Sequence, residues 1–220
     1  IFSFLDGTSS RYPNREKCKA LGQSLAELHL NANSITQSRQ NALGPASWKP
    51  LLDSVGKRVD EIAPQMQSMV KDQLNSILDA WPQNLPRGII HADLFPNNVL
   101  FIGDTLTGVI DFYFACEDIL AYDIGICLNS WCFDADGSFN LTKSRSLING
   151  YQAVRPLNER EIAAVPVLAA GSAMRFFLTR LYDWLHTPKD ALVSPKDPME
   201  YWGILRFHQS VSGFGAYGFD

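Results

Sequence analysis

Four polar side chains that could perform chemistry, those of His91, Asp93, Asn98 and Asp111, lie in one short part of the sequence. Asn98 follows Asp93 by five positions, and Asp111 comes after a further run of mostly apolar residues. Amide and carboxylate oxygens are hard ligands of the kind that Mg²⁺ prefers, so Asn98 and Asp111 could hold a cation. Asp93 could accept the proton of an incoming hydroxyl. The set predicts phosphoryl transfer, which needs positioned carboxylates and metal charge more than covalent chemistry.

The apolar runs around these residues predict short strands that bring them together. Residues 88–90 form one run, and residues 99–102 and 106–110 flank a Gly-Asp turn, which is typical of a β-hairpin. The hairpin would place Asp111 beside Asn98, while Asp93 stays on a loop of its own. The order His-x-Asp-x-x-x-x-Asn followed by a later Asp is typical of kinases.

Each of these side chains also has a purely structural interpretation. Asp93 could cap a turn, Asn98 could hold its loop through bonds to the backbone, and Asp111 could be an exposed strand end. For these three we favour the chemical role, because together they reproduce the kinase order. For His91 we favour the structural interpretation, a buried imidazole that orients the loop.

The rest of the chain predicts mainly helices. Apolar residues recur at helical spacing over about residues 14–30, 48–81 with a break near Pro64, 119–132, 140–152, 158–168, 169–186 and 198–211. Loops are predicted at residues 31–47, 134–139 and 186–196. The predicted fold class is therefore α+β, a mostly helical domain that holds a small β-hairpin at its active site.

Composition and charge limit the classes of partner. The 220 residues are 46% hydrophobic and 19% charged, which is typical of a globular domain. The net charge of -4 gives no basic surface for nucleic acid, and no apolar run approaches the roughly 18 residues of a membrane span. The four cysteines have neither CxxC nor zinc spacing, so we expect reduced, buried thiols in a cytoplasmic protein whose partners are small molecules.

Runs along nearly the whole chain resemble the aminoglycoside-phosphotransferase and choline-kinase-like superfamily, and within it most closely the homoserine kinases. They include His91-Ala-Asp-Leu-Phe, Ile110-Asp-Phe-Tyr-Phe-Ala-Cys and Arg175-Phe-Phe-Leu-Thr-Arg. The resemblance implies a protein-kinase-like fold with two lobes, and ATP and Mg²⁺ as cosubstrates. It also implies phosphorylation of the side-chain hydroxyl of L-homoserine, a step of threonine biosynthesis.

The same resemblance assigns roles to individual residues. Asp93 becomes the catalytic carboxylate, and Asn98 and Asp111 become ligands of the metal and its bound ATP. The first five residues match the segment that joins the lobes, where backbone groups meet the adenine, so Phe2 and Phe4 are assigned to cofactor binding.

The resemblance also divides the protein into regions. Residues 1–7 correspond to the interlobe linker, or hinge, and residues 8–220 to the helical C-terminal lobe with the catalytic loop. The smaller N-terminal lobe of the family, whose Gly-rich turn and strand Lys clamp the ATP phosphates, is expected to be absent from this chain. We therefore expect this piece alone to bind ATP poorly.

Homoserine carries a carboxylate and an ammonium group, so its pocket should offer an Arg together with an acidic group or carbonyl groups. Arg175 and Arg180 are five positions apart on a predicted helix and so point to different sides. Both are candidate substrate ligands, together with Tyr113. Asp123 and His91 are instead expected to support the catalytic loop.

Other functions stay open at this point. The acceptor could be an amino alcohol, a sugar or an aminoglycoside, or the chain could be an inactive binding lobe. The scarcity of acidic residues in residues 201–220 disfavours a polycationic aminoglycoside. Oligomeric state is left open.

Overall fold

The computed structural model describes residues 4–188 and 190–219. Phe2, one of the two residues assigned to cofactor binding at the start of the chain, lies outside these ranges. The described residues form the helices α1 (Arg15–Asn31), α2 (Pro45–Val55), α3 (Met66–Asp79), α4 (Leu120–Trp131), α5 (Leu141–Gln152), α6 (Glu159–His186) and α7 (Pro198–Ser210). They also form the strands β1 (Arg87–Ile90), β2 (Val99–Ile102), β3 (Thr105–Val109) and β4 (Cys116–Ile119).

The strands form two separate antiparallel pairs. The predicted hairpin is confirmed as β2 and β3, whose register joins Val99 to Val109. Strand β4 was not predicted, and it pairs with β1 so that Ile90 lies opposite Cys116. This second pair sets the segment after Asp111 against the end of β1, where the catalytic loop begins.

Helices α1 and α5 cross so closely that glycine is required at the contact. A Cβ atom on Gly22 would lie 2.1 Å from the Leu147 carbonyl oxygen, and one on Gly150 would lie 2.2 Å from the Lys19 carbonyl oxygen. Asn14 caps the start of α1, and its side chain accepts the Lys17 backbone N–H at 2.9 Å. The crossing fixes α1 in the position from which it reaches the active site.

Helix α6 is one long helix, where the sequence analysis predicts two. Asn158 and Glu161 form a capping box at its start, with bonds of 3.0 and 3.1 Å. Pro166 lies inside the helix and cannot donate to the residue four positions earlier. The helix nevertheless continues, because it packs against α2, α4 and α7 and burial outweighs the lost bond. The predicted break after residue 168 was therefore wrong.

The sequence analysis finds no apolar run of membrane-spanning length, but α6 is long and apolar enough to cross a membrane by length and composition alone. However, 72% of its most apolar window is buried inside the protein, as is usual for a core helix. The helix predicted over residues 48–81 is broken into α2 and α3, as expected. The break begins at Gly56 with a 3₁₀ segment rather than at Pro64. All four cysteines are free and buried, which confirms their predicted packing role.

Candidate active site

The catalytic loop begins where β1 ends, and Asp123 in the first turn of α4 fixes its first two residues. The His91 backbone N–H donates to Asp123 Oδ2 at 2.7 Å, and the Ala92 N–H donates to Oδ1 at 2.8 Å. Ala92 has a left-handed φ of 64°, so the loop needs external support at this point. Asp123 is fully buried, and both of its oxygens are engaged with the loop. This is the position of a supporting residue.

His29 of α1 stands behind Asp123. Its Nε2 lies 3.2 Å from Asp123 Oδ2, and its Nδ1 lies 2.7 Å from the Tyr151 hydroxyl. Burial by itself raises the pKa of Asp123, but the hydrogen bond and charge of His29, together with the interactions of His91, hold that pKa below its usual range. An ionised carboxylate accepts hydrogen bonds only, which suits the two backbone N–H donors of the loop.

His91 is a brace within the loop. Its Nε2 lies 3.0 Å from the Ile110 carbonyl oxygen, and its Nδ1 accepts the Asp93 N–H at 3.2 Å. The carbonyl can only accept, so Nε2 carries the proton. The residue is fully buried, and its ring packs on Phe112 with centroids 4.7 Å apart. Both ring nitrogens are engaged with backbone groups, which leaves His91 no free nitrogen for substrate.

The backbone brings Asp111 beside Asn98 through a hydrogen bond at the end of the hairpin. The Ile110 N–H donates to the Asn98 carbonyl oxygen at 2.9 Å, and Asp111 then turns with a left-handed φ of 63°. The Asn98 side-chain nitrogen donates to the Asp93 carbonyl oxygen at 2.8 Å. Among the described residues, neither the Asn98 Oδ1 nor the Asp111 carboxylate has a hydrogen-bond partner. The two oxygen-bearing groups are thus adjacent and available to a ligand.

The carboxylate of Asp93 is partly buried and has no hydrogen-bond partner among the described residues. Burial raises its pKa, and the nearby charge of Asp111 raises it further, while the charges of Arg175 and Lys196 act in the opposite direction. A desolvated carboxylate without a partner is a better proton acceptor than one on an open surface. Asp93 therefore has the chemical character of a base.

Two hollows, one apolar and one charged, lie near these residues. An apolar cleft of about 760 Å³ is lined by Phe4, Leu5, Leu100, Val109, Ile110, Asp111 and Phe112. A charged cavity of about 350 Å³ is lined by Asp93, Phe95, Asn97, Phe176, Arg180, Asp183, Val193, Ser194, Pro195 and Lys196. Asp111 thus faces the cleft and Asp93 faces the cavity, with Asn98 bonded to the backbone of the catalytic loop between them.

Arg175 lies behind the loop. It is 2% exposed, its Nη1 donates to the Ala92 carbonyl oxygen, and its guanidinium lies 5.6 Å from the Phe114 ring and 4.3 Å from the Phe176 ring. Arg175 is not among the described residues that line the charged cavity. This placement favours a role in holding the loop over the predicted contact with substrate.

The other two predicted substrate residues differ in their placement. Arg180 lines the charged cavity, where its Nη1 donates to Glu200 at 2.6 Å and to the Asp197 carbonyl oxygen at 3.1 Å. Tyr113 is 73% exposed on the turn after Asp111 and is not among the described residues of that cavity. The structure therefore brings Arg180, but not Tyr113, to the side of Asp93.

Comparison with known proteins gives the family. The sequence model of the phosphotransferase enzyme family matches residues 1–157. The homoserine kinase of Rhodospirillum rubrum is 52% identical over 218 residues, which cover 99% of this chain and 68% of the relative. The homoserine kinase of Rhizobium etli is 50% identical with the same coverage. The chain belongs to the phosphotransferase enzyme family, among the homoserine kinases.

Solved structures of this family share the fold at low sequence identity. An amicoumacin kinase in complex with AMP-PNP, Ca²⁺ and Ami is 16% identical with a TM-score of 0.66 and covers 94% of the chain. A Plasmodium vivax ethanolamine kinase is 17% identical with a TM-score of 0.65 and the same coverage. The chain spans 62% and 63% of those proteins. The predicted protein-kinase-like fold class is confirmed.

Two features of this phosphotransferase site were missed by the sequence reasoning. His29 was assigned only to an amphipathic helix, because nothing local shows that it meets Asp123 and Tyr151. Lys196 was assigned to a loop, because a Pro-Lys-Asp-Pro stretch has no periodicity that indicates a cavity. Both reach the site through long-range packing, so spacing along the chain carried no signal for them.

Proposed function

We propose that the protein carrying this chain transfers the γ-phosphoryl group of ATP to the side-chain hydroxyl of L-homoserine. The observation that carries the proposal is the charged cavity beside Asp93, which offers charges of both signs in a space of about 350 Å³. This is near the lower end of the roughly 300–1,000 Å³ of ligand pockets, and it suits a small zwitterion better than a large polycation. The relatives that are 50–52% identical are homoserine kinases, which agrees with that acceptor.

In this proposal Asp93 orients the acceptor hydroxyl and takes its proton as the phosphoryl group moves. Its carboxylate faces the cavity, is partly desolvated and has no hydrogen-bond partner among the described residues. Asp123, His29 and His91 fix the backbone that carries it. Because the side chain is held before substrate arrives, little reorganisation is needed during transfer.

Asn98 and Asp111 would hold Mg²⁺. The fit rests on the Asn98 amide: its nitrogen already donates to the Asp93 carbonyl oxygen, so its oxygen is the atom left for a cation. Within residues 4–188 and 190–219, no group of three or more His, Cys, Asp or Glu is placed to hold a metal. An Asn–Asp pair suits Mg²⁺, which commonly takes one or two protein ligands and completes its shell with phosphates and water. When bound, Mg²⁺ supplies positive charge to the phosphate oxygens.

The apolar cleft would receive the adenosine part of ATP. Phe4 is 89% exposed at its rim, and Leu5, Leu100 and Val109 supply apolar walls next to Asp111. A flat, weakly polar base is the part of ATP that such walls favour. With this assignment, residues 1–7 would be the linker between lobes, as the family resemblance implies, and residues 8–220 the C-terminal lobe.

A cytoplasmic location of the protein stays a prediction.

The test is an acceptor panel with the natural gene product that carries this sequence. We expect ADP release with ATP, Mg²⁺ and L-homoserine, and at least about tenfold lower kcat/KM with choline, ethanolamine, a hexose and kanamycin, because a polar site rejects ligands that leave its charged groups unpaired. The product is identified as O-phosphohomoserine by mass spectrometry. Equal or higher kcat/KM with one of the other acceptors would overturn the homoserine assignment. Absence of transfer to any acceptor would overturn kinase activity itself.

A further inference from the structure

The charged cavity contains four ionisable side chains, and two of them already have a function or a partner. Asp93 faces the acceptor hydroxyl in the proposed reaction. Arg180 is held by Glu200 at 2.6 Å and by the Asp197 carbonyl, and it lies over the Tyr201 ring at 4.5 Å. Its side chain is only 12% exposed. Arg180 therefore lines the cavity, but its charge is largely balanced by Glu200.

Lys196 is the cation of this cavity that lacks an acidic partner. Its side chain is exposed, and its Nζ lies 5.6 Å from the centroid of the Phe95 ring. No carboxylate of the described residues is within ion-pair distance of it. It lines the same cavity as Asp93, and its charge lowers the pKa of that carboxyl.

Asp183 is an anion that lines the same cavity. It lies near the end of α6, three residues after Arg180, and it is exposed. Its backbone carbonyl accepts the Thr187 N–H at 2.8 Å, but its carboxylate has no hydrogen-bond partner among the described residues. The cavity thus presents one free cation and one free anion to any ligand beside Asp93.

We infer that Lys196 binds the carboxylate and Asp183 the ammonium group of an amino-acid acceptor, with its hydroxyl directed to Asp93. The inference rests on the proposed function and names the residues that make the site specific for a zwitterion. Lys196 lies on a loop and Asp183 lies on a helix, so the two ends of the ligand would be bound by different elements of the fold. An amino alcohol or a hydroxy acid would leave one of the two side chains unpaired, and an unpaired charge costs affinity.

Two substitutions combined with two analogues test this assignment in the natural gene product. Lys196→Met and Asp183→Asn each remove one charge at similar size. The acceptors are L-homoserine, 3-aminopropan-1-ol, which lacks the carboxylate, and 4-hydroxybutyrate, which lacks the ammonium group. Lys49→Met and Asp53→Asn, both exposed positions on α2, serve as matched controls. The measured quantity is kcat/KM at saturating ATP and Mg²⁺.

Lys196→Met is expected to lower kcat/KM about 10- to 100-fold for L-homoserine and for 4-hydroxybutyrate, the range for one charge-assisted bond. It should leave 3-aminopropan-1-ol nearly unchanged. Asp183→Asn is expected to give the reverse selectivity, with losses for L-homoserine and 3-aminopropan-1-ol and little change for 4-hydroxybutyrate. Thermal denaturation should show both variants folded.

Equal losses for all three acceptors, or a rise in the KM for ATP alone, would overturn the assignment, because Lys196 or Asp183 would then act on the phosphates or on the fold. An unchanged kcat/KM for L-homoserine would overturn it as well. These failures differ from failure of the proposed function. In that case the unsubstituted protein would not phosphorylate L-homoserine, and both claims would fall together.

Discussion

The apolar cleft and the charged cavity lie on two sides of the same catalytic loop, yet they are built differently. The cleft is lined by the hairpin strands β2 and β3 and the residues just after them, together with Phe4 and Leu5. The cavity combines the catalytic loop with the far end of α6 and residues 193–196. Most of the first wall is continuous in sequence, whereas the second is assembled from segments about a hundred positions apart. The proposed nucleotide side is therefore encoded mostly by residues that are neighbours in sequence, and the proposed acceptor side only by the packed chain.

The largest effect is expected from Asp93, on the catalytic loop between the two hollows. Asp93→Asn should lower kcat about 10²- to 10⁴-fold, because the variant keeps its shape but cannot take the hydroxyl proton. The KM values for ATP and L-homoserine should change little. Steady-state assays of phosphohomoserine formation measure both quantities. If the variant keeps full activity, Asp93 is not the base, and neither hollow can be assigned through it.

Asp111→Asn tests the proposed metal site beside the apolar cleft. We expect kcat to fall about 10²-fold and the Mg²⁺ concentration needed for half-maximal rate to rise, since metal charge on the phosphates contributes several kcal/mol. The KM for L-homoserine should stay near that of the unsubstituted protein. A Mg²⁺ titration of the rate gives the answer, and an unaltered titration midpoint would remove Asp111 from the metal site.

Asp123→Asn tests the support that both hollows share. An amide cannot accept the His91 and Ala92 N–H groups with both of its polar atoms, so we expect a loss of roughly 2–4 kcal/mol in the free energy of unfolding. Urea denaturation measures it, with the exposed Asp53→Asn as control. A loss no larger than that of the control would show that the Asp123 carboxylate is not needed to hold the loop.

The lowered pKa of Asp123 makes the free energy of unfolding depend on pH. The folded pKa of Asp123 is below its usual value of 3.8. Its contribution is therefore fully present above that value, and it is lost as the pH falls through the lower, folded pKa. The Asp123→Asn variant should show a flatter decline of unfolding free energy in this acid range than the unsubstituted protein. A decline of the same steepness would contradict the lowered pKa.

The smallest effect is expected from trimming the cleft. Leu100→Ala removes part of one apolar wall, and the KM for ATP should rise about 3- to 10-fold, because the loss of burial is that of one or two methylenes at roughly 0.8 kcal/mol each. The KM for L-homoserine should be unaffected, because Leu100 does not line the charged cavity. If the KM for L-homoserine rises instead, the assignment of the two hollows is reversed.

Sequence reasoning succeeded where the relevant pattern is local. The Gly-Asp turn between two apolar runs predicted the hairpin, and the hairpin brings Asp111 back beside Asn98. Helical periodicity predicted α1, α4, α5 and α7 to within about two residues, the usual uncertainty of helix ends. It failed after residue 168, where a break was predicted but burial on several sides keeps α6 continuous, as it also does through Pro166. It also missed β4, because a strand of four residues has no reliable signature apart from its partner β1.

The order and spacing of Asp93, Asn98 and Asp111, the hairpin that joins the last two, and the resemblance to the family could all be read from the sequence. The hairpin follows from contacts between near neighbours along the chain, and the resemblance from matching runs of residues. Three contacts could be seen only in the folded chain: Arg175 donates to the Ala92 carbonyl, His29 contacts Asp123, and Lys196 lines the cavity with Asp93. Each of these contacts joins residues that are many positions apart. Side-chain spacing cannot specify such contacts, because they depend on how whole helices pack.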